Sequence, residues 1–211
     1  MRSSTALTDP AALLVADSST IINLVATRAA AAVISALPNR IVVVAVIPDE
    51  LETGRELGRR ACDGLKALVD AGVVEIVPLD DAANGFFEEL VVGPAVETLD
   101  DGEAATIAYA LAHGGTALID ERKAMRICRE KFPQLRVACT LDVLLHDEVQ
   151  QRLGEDGLGN AVFNALADAR MRILPDHISW VVSVIGKQRA RSCESLPQKL
   201  RCSLQTDARG M

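Results

Sequence analysis

Four acidic residues, Asp17, Glu50, Glu103 and Asp120, stand beside apolar segments of the chain and can do chemistry together. Carboxylates that are packed together repel one another unless protons or cations compensate. Oxygen ligands without histidine or cysteine favour Mg²⁺ or Mn²⁺ over zinc. Such a site orients water and holds the oxygens of a phosphoryl group during displacement. Taken alone, Asp17 would also serve as an ordinary helix cap.

The segments before three of these acids predict buried strands. Short apolar runs at 13–16 and 116–119 end at Asp17 and Asp120, and the β-branched run 41–47 precedes Glu50. Strands that alternate with helices indicate a parallel sheet, whose functional crevice lies beyond the carboxyl ends of the strands. We therefore expect these acids at one edge of the sheet. Two further strands are predicted, at 73–77, where the strand suits a sheet edge, and at 136–138.

Glu103 is expected in the first turn of a helix that enters the same crevice. Asp100 or Asp101 can cap this helix, which should run to about His113, before Gly-Gly ends it. Glu103 then lies at the edge of the apolar arc, and Thr106 is expected to face away from the core. By itself Glu103 could simply be a first-turn acid that stabilises the helix dipole. The presence of the three other acids favours a role in the site instead.

The remaining segments predict helices. They lie at 21–37, from about 48, at 55–71 (one helix or a broken pair), 80–92, 121–131 and 140–151. Glycines 154, 157 and 159 suggest a hinge, followed by helices at 160–174 and 177–186 and a flexible basic tail over the last 25 residues. We expect one domain at 1–150 and a helical extension at 151–211, which should be dispensable for folding of the first domain.

Composition narrows the classes of function. Of 211 residues, 49% are hydrophobic and only 3% aromatic, which favours an α/β core and leaves few platforms for stacking bases. No apolar run approaches the roughly 18 residues of a membrane span, so a cytoplasmic protein without a membrane partner is expected. The net charge of −7 would repel a polyanion unless divalent cations sat among the acids.

Cysteines and histidines give no pattern of their own. The five cysteines form no C-x-x-C pair, which predicts reduced thiols that mostly pack in the interior. The three histidines are scattered along the sequence, and no catalytic role is assigned to them.

Five motifs in order resemble those of the PIN-domain family. They are V-A-D-S-S, V-I-P-D-E-L, L-D-D-G-E-A-A-T-I-A-Y-A, A-L-I-D-E-R-K and T-L-D-V-L-L, and the resemblance covers about residues 12–148. It implies a three-layer α/β/α sandwich with a central parallel sheet, here followed by the helical extension. It also implies a Mg²⁺- or Mn²⁺-dependent ribonuclease that cleaves single-stranded or structured RNA with a metal-activated water. The family includes VapC-like toxins, which are paired with antitoxin proteins.

Carried over by position, the resemblance assigns the site residues. Asp17, Glu50, Glu103 and Asp120 match the acidic quartet, in which Asp17, Glu103 and Asp120 bind the metal and Glu50 assists. Asp49 or Glu52 could take the place of Glu50. Ser18 matches the small hydroxylic neighbour of the first acid, and the remaining supporting candidates are Asp101 and Asp142.

Basic residues beside the site would contact phosphates of RNA, since such contacts need only placed cations. The candidates are Arg55, Arg59, Arg60, Arg122, Lys123 and Arg126. The expected partners are RNA, an antitoxin protein and a second copy of the chain. Two alternatives stay open: a catalytically silent PIN-like binding module, and phosphoryl-transfer or phosphatase chemistry, which would want a D-x-D pattern after the first strand.

Overall fold

A five-stranded sheet with all strands parallel forms the centre of the molecule. The computed structural model describes residue 7 and residues 9–56 and 61–206. The strand order is β3-β2-β1-β4-β5. The strands are β1 Leu14–Ala16, β2 Ile41–Val44, β3 Glu75–Val77, β4 Thr116–Leu118 and β5 Arg136–Ala138. Leu14 pairs with Ile41 on one side and with Thr116 on the other, so β1 is central. The predicted edge position of the third strand is confirmed.

Eleven helices are formed by the described residues. In the first half of the chain they are α1 Ser18–Ala26, α2 Ala30–Ala36, α3 Val46–Glu56, α4 Ala61–Asp70, α5 Asp81–Val91 and α6 Asp101–Ala112. The second half contributes α7 Arg122–Lys131, α8 Thr140–Leu144, α9 Asp147–Asp168, α10 Ile178–Ser192 and α11 Gln198–Thr206. A short 3₁₀ turn, Pro175–His177, precedes α10.

The two faces of the sheet bury two separate hydrophobic clusters, because successive strand side chains point to opposite faces. Leu14 and Ala16 belong to the cluster beneath α1, α2, α4, α9 and α10. Val15 belongs to the other cluster, beneath α5, α6 and α7. The molecule is therefore the predicted α/β/α sandwich with C-terminal helices.

Helix α6 is more deeply buried than its sequence pattern indicated. Ala104, Ala105, Ala108 and Ala110 are all enclosed, because α6 packs against the sheet and also beneath α5. Thr106, which was expected to face away from the core, is fully buried, and its hydroxyl has no hydrogen-bond partner among the described residues. The prediction for Thr106 was wrong because α6 is surrounded by helices and strands on more than its apolar face.

The second strand is shorter than predicted. The run at 41–47 was expected to be one strand, yet β2 ends at Val44 and α3 begins at Val46. Ile47 is fully buried from within the helix. A continuous apolar run does not mark where a buried strand gives way to a buried helix turn, because both require apolar side chains.

The C-terminal third is more regular than predicted. Helix α9 runs through residue 150, and the glycine hinge reduces to one kink at Gly154, whose φ is 67°. The expected flexible tail is helical in α10 and α11 up to residue 206, where Leu196 and Leu204 are buried. Helices α9 and α10 share the cluster of β1. A division into domains at residue 150 stays a prediction.

Within the described residues, no single helix has both the length and the apolar character needed to cross a membrane; α1 and α2 qualify only as a pair, which is bent by 112°.

Candidate active site

Asp17 lies directly after β1 and caps α1. Its carboxylate accepts hydrogen bonds from the Thr20 N–H at 2.7 Å and from the Ser19 hydroxyl at 2.8 Å. Its backbone N–H donates to the carbonyl of Leu118, which anchors it to β4. The side chain is only 2% exposed. The helix cap expected of this residue is present, and the same bonds fix its carboxylate at the carboxyl edge of the sheet.

Asp120 follows β4 at the same edge and is held by two neutral residues. Its Oδ2 accepts from the amide of Asn23 at 2.7 Å and from the hydroxyl of Thr140, and its Oδ1 accepts from the Thr140 N–H at 2.9 Å. Asn23 is on α1, and Thr140 is the first residue of α8. Because no cation of the described residues neutralises Asp120 directly, its charge stays available to an external ion.

Glu50 reaches the site from the first half of α3. One of its oxygens accepts from the Ser18 hydroxyl, and the other accepts from the Gly102 N–H at 2.8 Å. A Cβ on residue 102 would collide with this carboxylate, so glycine permits the close approach of the two helices. Asp49 and Glu52 are exposed on α3. Of these three acids, Glu50 is the one joined to residue 18.

Glu103 sits in the first turn of α6, where Asp100 caps the helix and accepts the Glu103 N–H at 2.9 Å. Burial raises the pKa of Glu103 to about 8, with repulsion from Asp100 and then Asp17 as further causes. A surface acid at a helix N-terminus would instead have a lowered pKa, because the helix dipole favours its charged form.

Electrostatic repulsion connects the acids across the crevice. Burial raises the pKa of Asp17 to about 7, and the next cause is the charge of Asp120. Burial raises the pKa of Asp120 as well, against the lowering effect of its hydrogen bonds from Thr140 and Asn23. Burial likewise raises the pKa of Glu50, with Asp100 and Asp101 contributing. Burial and mutual repulsion therefore disfavour the charged forms of these carboxylates, and a bound cation would act in the opposite direction.

A family model for the PIN domain matches residues 13–187, which is most of the chain. The chain belongs to the PIN-domain family. Its fold is accordingly of a nuclease type, and PIN domains generally use divalent metal ions. No curated protein and no solved structure matches the chain.

The acids of this PIN domain suit a hard divalent cation. Asp17, Glu103 and Asp120 offer only oxygen ligands, and the charges of Asp17 and Asp120 already act on one another. The hydrogen bonds that hold Asp17 and Asp120 come from neutral donors and fix the direction of the carboxylates, as is usual around metal ligands. Two or three bonds to each carboxylate still leave lone pairs for an ion.

The supporting candidates lie in different surroundings. Ser18 donates to Glu50, as described. Asp101 is exposed in the first turn of α6. Asp142 has partners of its own: its carboxylate accepts the Cys139 N–H at 2.8 Å and lies 3.3 Å from Nε2 of His177. These hydrogen bonds outweigh the effect of burial and lower the pKa of Asp142. Its charge also raises the pKa of Asp120.

The basic residues that were predicted to contact RNA lie only partly within the described residues. The side chain of Arg55, and Arg59 and Arg60 as a whole, lie outside the described residues. Arg122 is exposed and Lys123 is half-buried at the start of α7, and the charge of Lys123 lowers the pKa of Glu103. Arg126 is engaged elsewhere, since it donates to the Val96 carbonyl and pairs with Glu130.

Two groups of residues at this PIN site were not predicted from the sequence. Asn23 and Thr140 hold Asp120, and only their polar character within apolar segments hinted at a role. A groove of about 790 Å³ also opens beside Asp120 and carries two arginines, Arg170 and Arg172, from the loop between α9 and α10. Arg172 lies 3.3 Å from the carboxylate of Glu121. These arginines are 50 residues from Asp120 in sequence, so no local pattern connects them to it.

Proposed function

We propose that the protein is a Mg²⁺- or Mn²⁺-dependent endoribonuclease. The observation that carries the proposal is the electrostatic coupling of Asp17 with Asp120 and with Glu103 at the carboxyl edge of a PIN-domain sheet. Acids with such raised pKa values in a crevice are typical of functional sites. The chemistry that a divalent cation supplies to such a site is activation of water and neutralisation of phosphate oxygens.

Each acid has a stated part in this proposal. Asp17, Glu103 and Asp120 would hold the cation, and each must release any bound proton to do so. Glu50 is tied to Ser18 and Gly102, so it joins the starts of α1 and α6 and keeps Asp17 and Glu103 in place. Asn23 and Thr140 orient Asp120. The chain thus supplies oxygen ligands of fixed direction, as hydrolysis of a phosphodiester requires.

The groove beside Asp120 is the proposed path of the RNA backbone. Arg170 is exposed in the groove wall, and Arg172 reaches the same wall with its charge shared by Glu121. The same groove is lined by Asp120, so a phosphate bound by these cations would lie beside one of the acids. Arg122 and Lys123, at the start of α7, are proposed to contact the strand on the other side of Glu121.

The biological setting proposed for this activity is that of a toxin whose partner is an antitoxin protein, and a homodimer is proposed as its assembly. The antitoxin follows from the family resemblance, whereas the homodimer rests on the apolar character of the C-terminal helices. Co-purification of the chain with the product of a neighbouring gene, and the mass of the purified protein in solution, would test them separately from catalysis.

Cleavage of a single-stranded RNA and of an RNA hairpin by the full chain tests the activity. We expect cleavage in Mg²⁺ or Mn²⁺, none in EDTA, and a loss of at least ~100-fold, or about 2.7 kcal/mol, in Asp17→Asn. Asp80→Asn is the matched control, because Asp80 caps α5 in the same way but lies outside the site. Absence of cleavage by the wild type in both metals would favour the silent binding module instead.

A further inference from the structure

A second cluster of metal-ligating side chains lies behind the acidic site. Cys139, Asp142 and His177 each offer a ligand atom, and these three atoms lie within 4.8 Å of one another. The cysteine and aspartate flank the start of α8, whereas the histidine ends the 3₁₀ turn before α10. Thirty-eight residues separate Cys139 from His177. The fold therefore brings together a group of possible ligands that no sequence motif predicts.

We propose that Cys139, Asp142 and His177 bind a thiophilic divalent cation of the zinc class. A thiolate, an imidazole and a carboxylate are the three ligand types that zinc takes in proteins. The same set is a poor choice for Mg²⁺, which prefers oxygen ligands alone. This site is distinct in chemistry from the all-oxygen site at Asp17 and Asp120, and it does not depend on ribonuclease activity.

The ligand atoms of the cluster lie close to the spacing of a metal site. Cys139 Sγ lies 3.9 Å from Nδ1 of His177, and Asp142 Oδ1 lies 3.3 Å from Nε2 of the same ring. Ligand atoms around a tetrahedral zinc are about 3.4–3.7 Å apart, as bond lengths of 2.0–2.3 Å imply. A single ion takes only one of the two ring nitrogens, so its binding requires a small shift of the His177 ring toward the thiolate and the carboxylate.

The ligands are already oriented by the fold. The second oxygen of Asp142 accepts the Cys139 N–H at 2.8 Å, so one carboxylate oxygen is fixed while the other faces the histidine. Such a bond to the non-coordinating atom of a ligand is the usual support of a metal site. Cys139 is 2% exposed, and the side chains of Asp142 and His177 are 14% and 12% exposed. Three protein ligands leave a fourth position for water.

The position of the cluster indicates what the ion would do. Thr140 follows Cys139 directly and holds Asp120 through its N–H and hydroxyl. His177 belongs to the segment that leads into α10. A cation bound by these residues would join the C-terminal helices to the start of α8 and thereby fix the residue that positions Asp120. The ion would thus link these two elements close to Asp120, and its fourth position would stay open to water.

Cobalt titration of the full chain tests the proposal, with the chain stripped of metals and kept reduced. Co²⁺ reports a thiolate ligand by a sulfur-to-cobalt charge-transfer band and tetrahedral geometry by strong visible absorption. We expect both signals to saturate at one equivalent and to vanish when Zn²⁺ is added. No thiolate band at one equivalent of Co²⁺ would overturn the proposal.

Substitutions identify the residues that bind Co²⁺. Cys139→Ser keeps a good capping residue at the start of α8 and should lose the charge-transfer band. His177→Gln should keep the fold and bind Co²⁺ at least ~10-fold more weakly. Cys193→Ser, at another buried thiol, and Asp17→Asn, in the acidic site, should leave the band unchanged. A band that survives in Cys139→Ser, or unchanged affinity in folded His177→Gln, would disprove the assignment.

Discussion

Thr140 binds the carboxylate of Asp120 twice, through its backbone N–H at 2.9 Å and through its hydroxyl, across 20 residues of sequence. The two bonds join the start of α8 to the end of β4. They stabilise the charged form of a buried acid, and therefore oppose the effect of burial on its pKa.

Replacing Thr140 with valine keeps the volume and the N–H and removes only the hydroxyl. We expect the pKa of Asp120 to rise further, because a hydrogen bond to a charged group is worth about 1.5–3 kcal/mol. RNA cleavage at neutral pH should fall by roughly 10-fold and should recover in part at higher pH. The pH profile of kcat/KM measures this. A uniform loss of rate at every pH would contradict the assigned role of Thr140.

Asp17→Asn should change how the stability of the metal-free protein depends on pH. The pKa of Asp17 is about 7 in the fold against an ordinary value of 3.8. An unfolded chain loses this proton near pH 4, whereas the folded chain keeps it to about pH 7. Wild type should therefore lose stability as the pH rises from about 4 to about 7. Asparagine caps α1 equally well and carries no such proton.

Urea unfolding in EDTA at pH 5 and pH 8 measures this effect. The advantage of Asp17→Asn over wild type should grow by roughly 2–3 kcal/mol between the two pH values, because the folded carboxyl loses its proton between them. Addition of Mn²⁺ should reduce this advantage, because only wild type gains from binding it, by roughly 2.7 kcal/mol at 100 times the dissociation constant. An equal response of both proteins to Mn²⁺ would exclude Asp17 as a ligand.

Gly102→Ala tests the contact between α6 and Glu50. The new Cβ would lie 2.6 Å from the carboxyl carbon of Glu50, so this side chain must leave its bond to the N–H of residue 102. We expect cleavage of RNA to fall by at least ~10-fold. Gly85→Ala in α5 is the control, because nothing lies within 4 Å of its Cβ. It should gain up to about 1 kcal/mol in stability and keep its activity.

A chain that ends at Leu153 tests the predicted division into domains. It would remove Val162, Trp180 and Val181, which are buried in the same cluster as Leu24 of α1. Exposing that surface should make the shortened chain aggregate or unfold. Size-exclusion chromatography and circular dichroism decide the matter. A monomeric, cooperatively folded product would show that residues 1–150 form a domain of their own.

Local patterns in the sequence were sufficient for the sheet and for its acids. Apolar runs that end in an acid placed Asp17 and Asp120 at one edge, because parallel strands share their carboxyl ends. The cap at Asp100 placed Glu103 in a first turn, as the structure has it. Each of these inferences needed only residues within one strand or one helix turn.

Contacts between distant segments could not be predicted in this way. The hydrogen bond from Asn23 to Asp120 spans 97 residues, and the approach of His177 to Cys139 spans 38. Thr106 was misplaced because its burial depends on elements that pack around α6 from other parts of the chain. Side chains that meet only through the packing of separate elements leave no periodic signal in the chain.

The alanines that surround Thr106 in α6 limit how this protein can vary. Ala104, Ala105, Ala108 and Ala110 fill the narrow space between the sheet and α5, and the same helix begins with Glu103. A larger residue at any of these positions would push the helix outward, because a packed interior has no spare volume. Random mutagenesis scored for activity should therefore recover substitutions freely at exposed positions of α7 such as Arg129 and Lys131, and almost none at these four alanines.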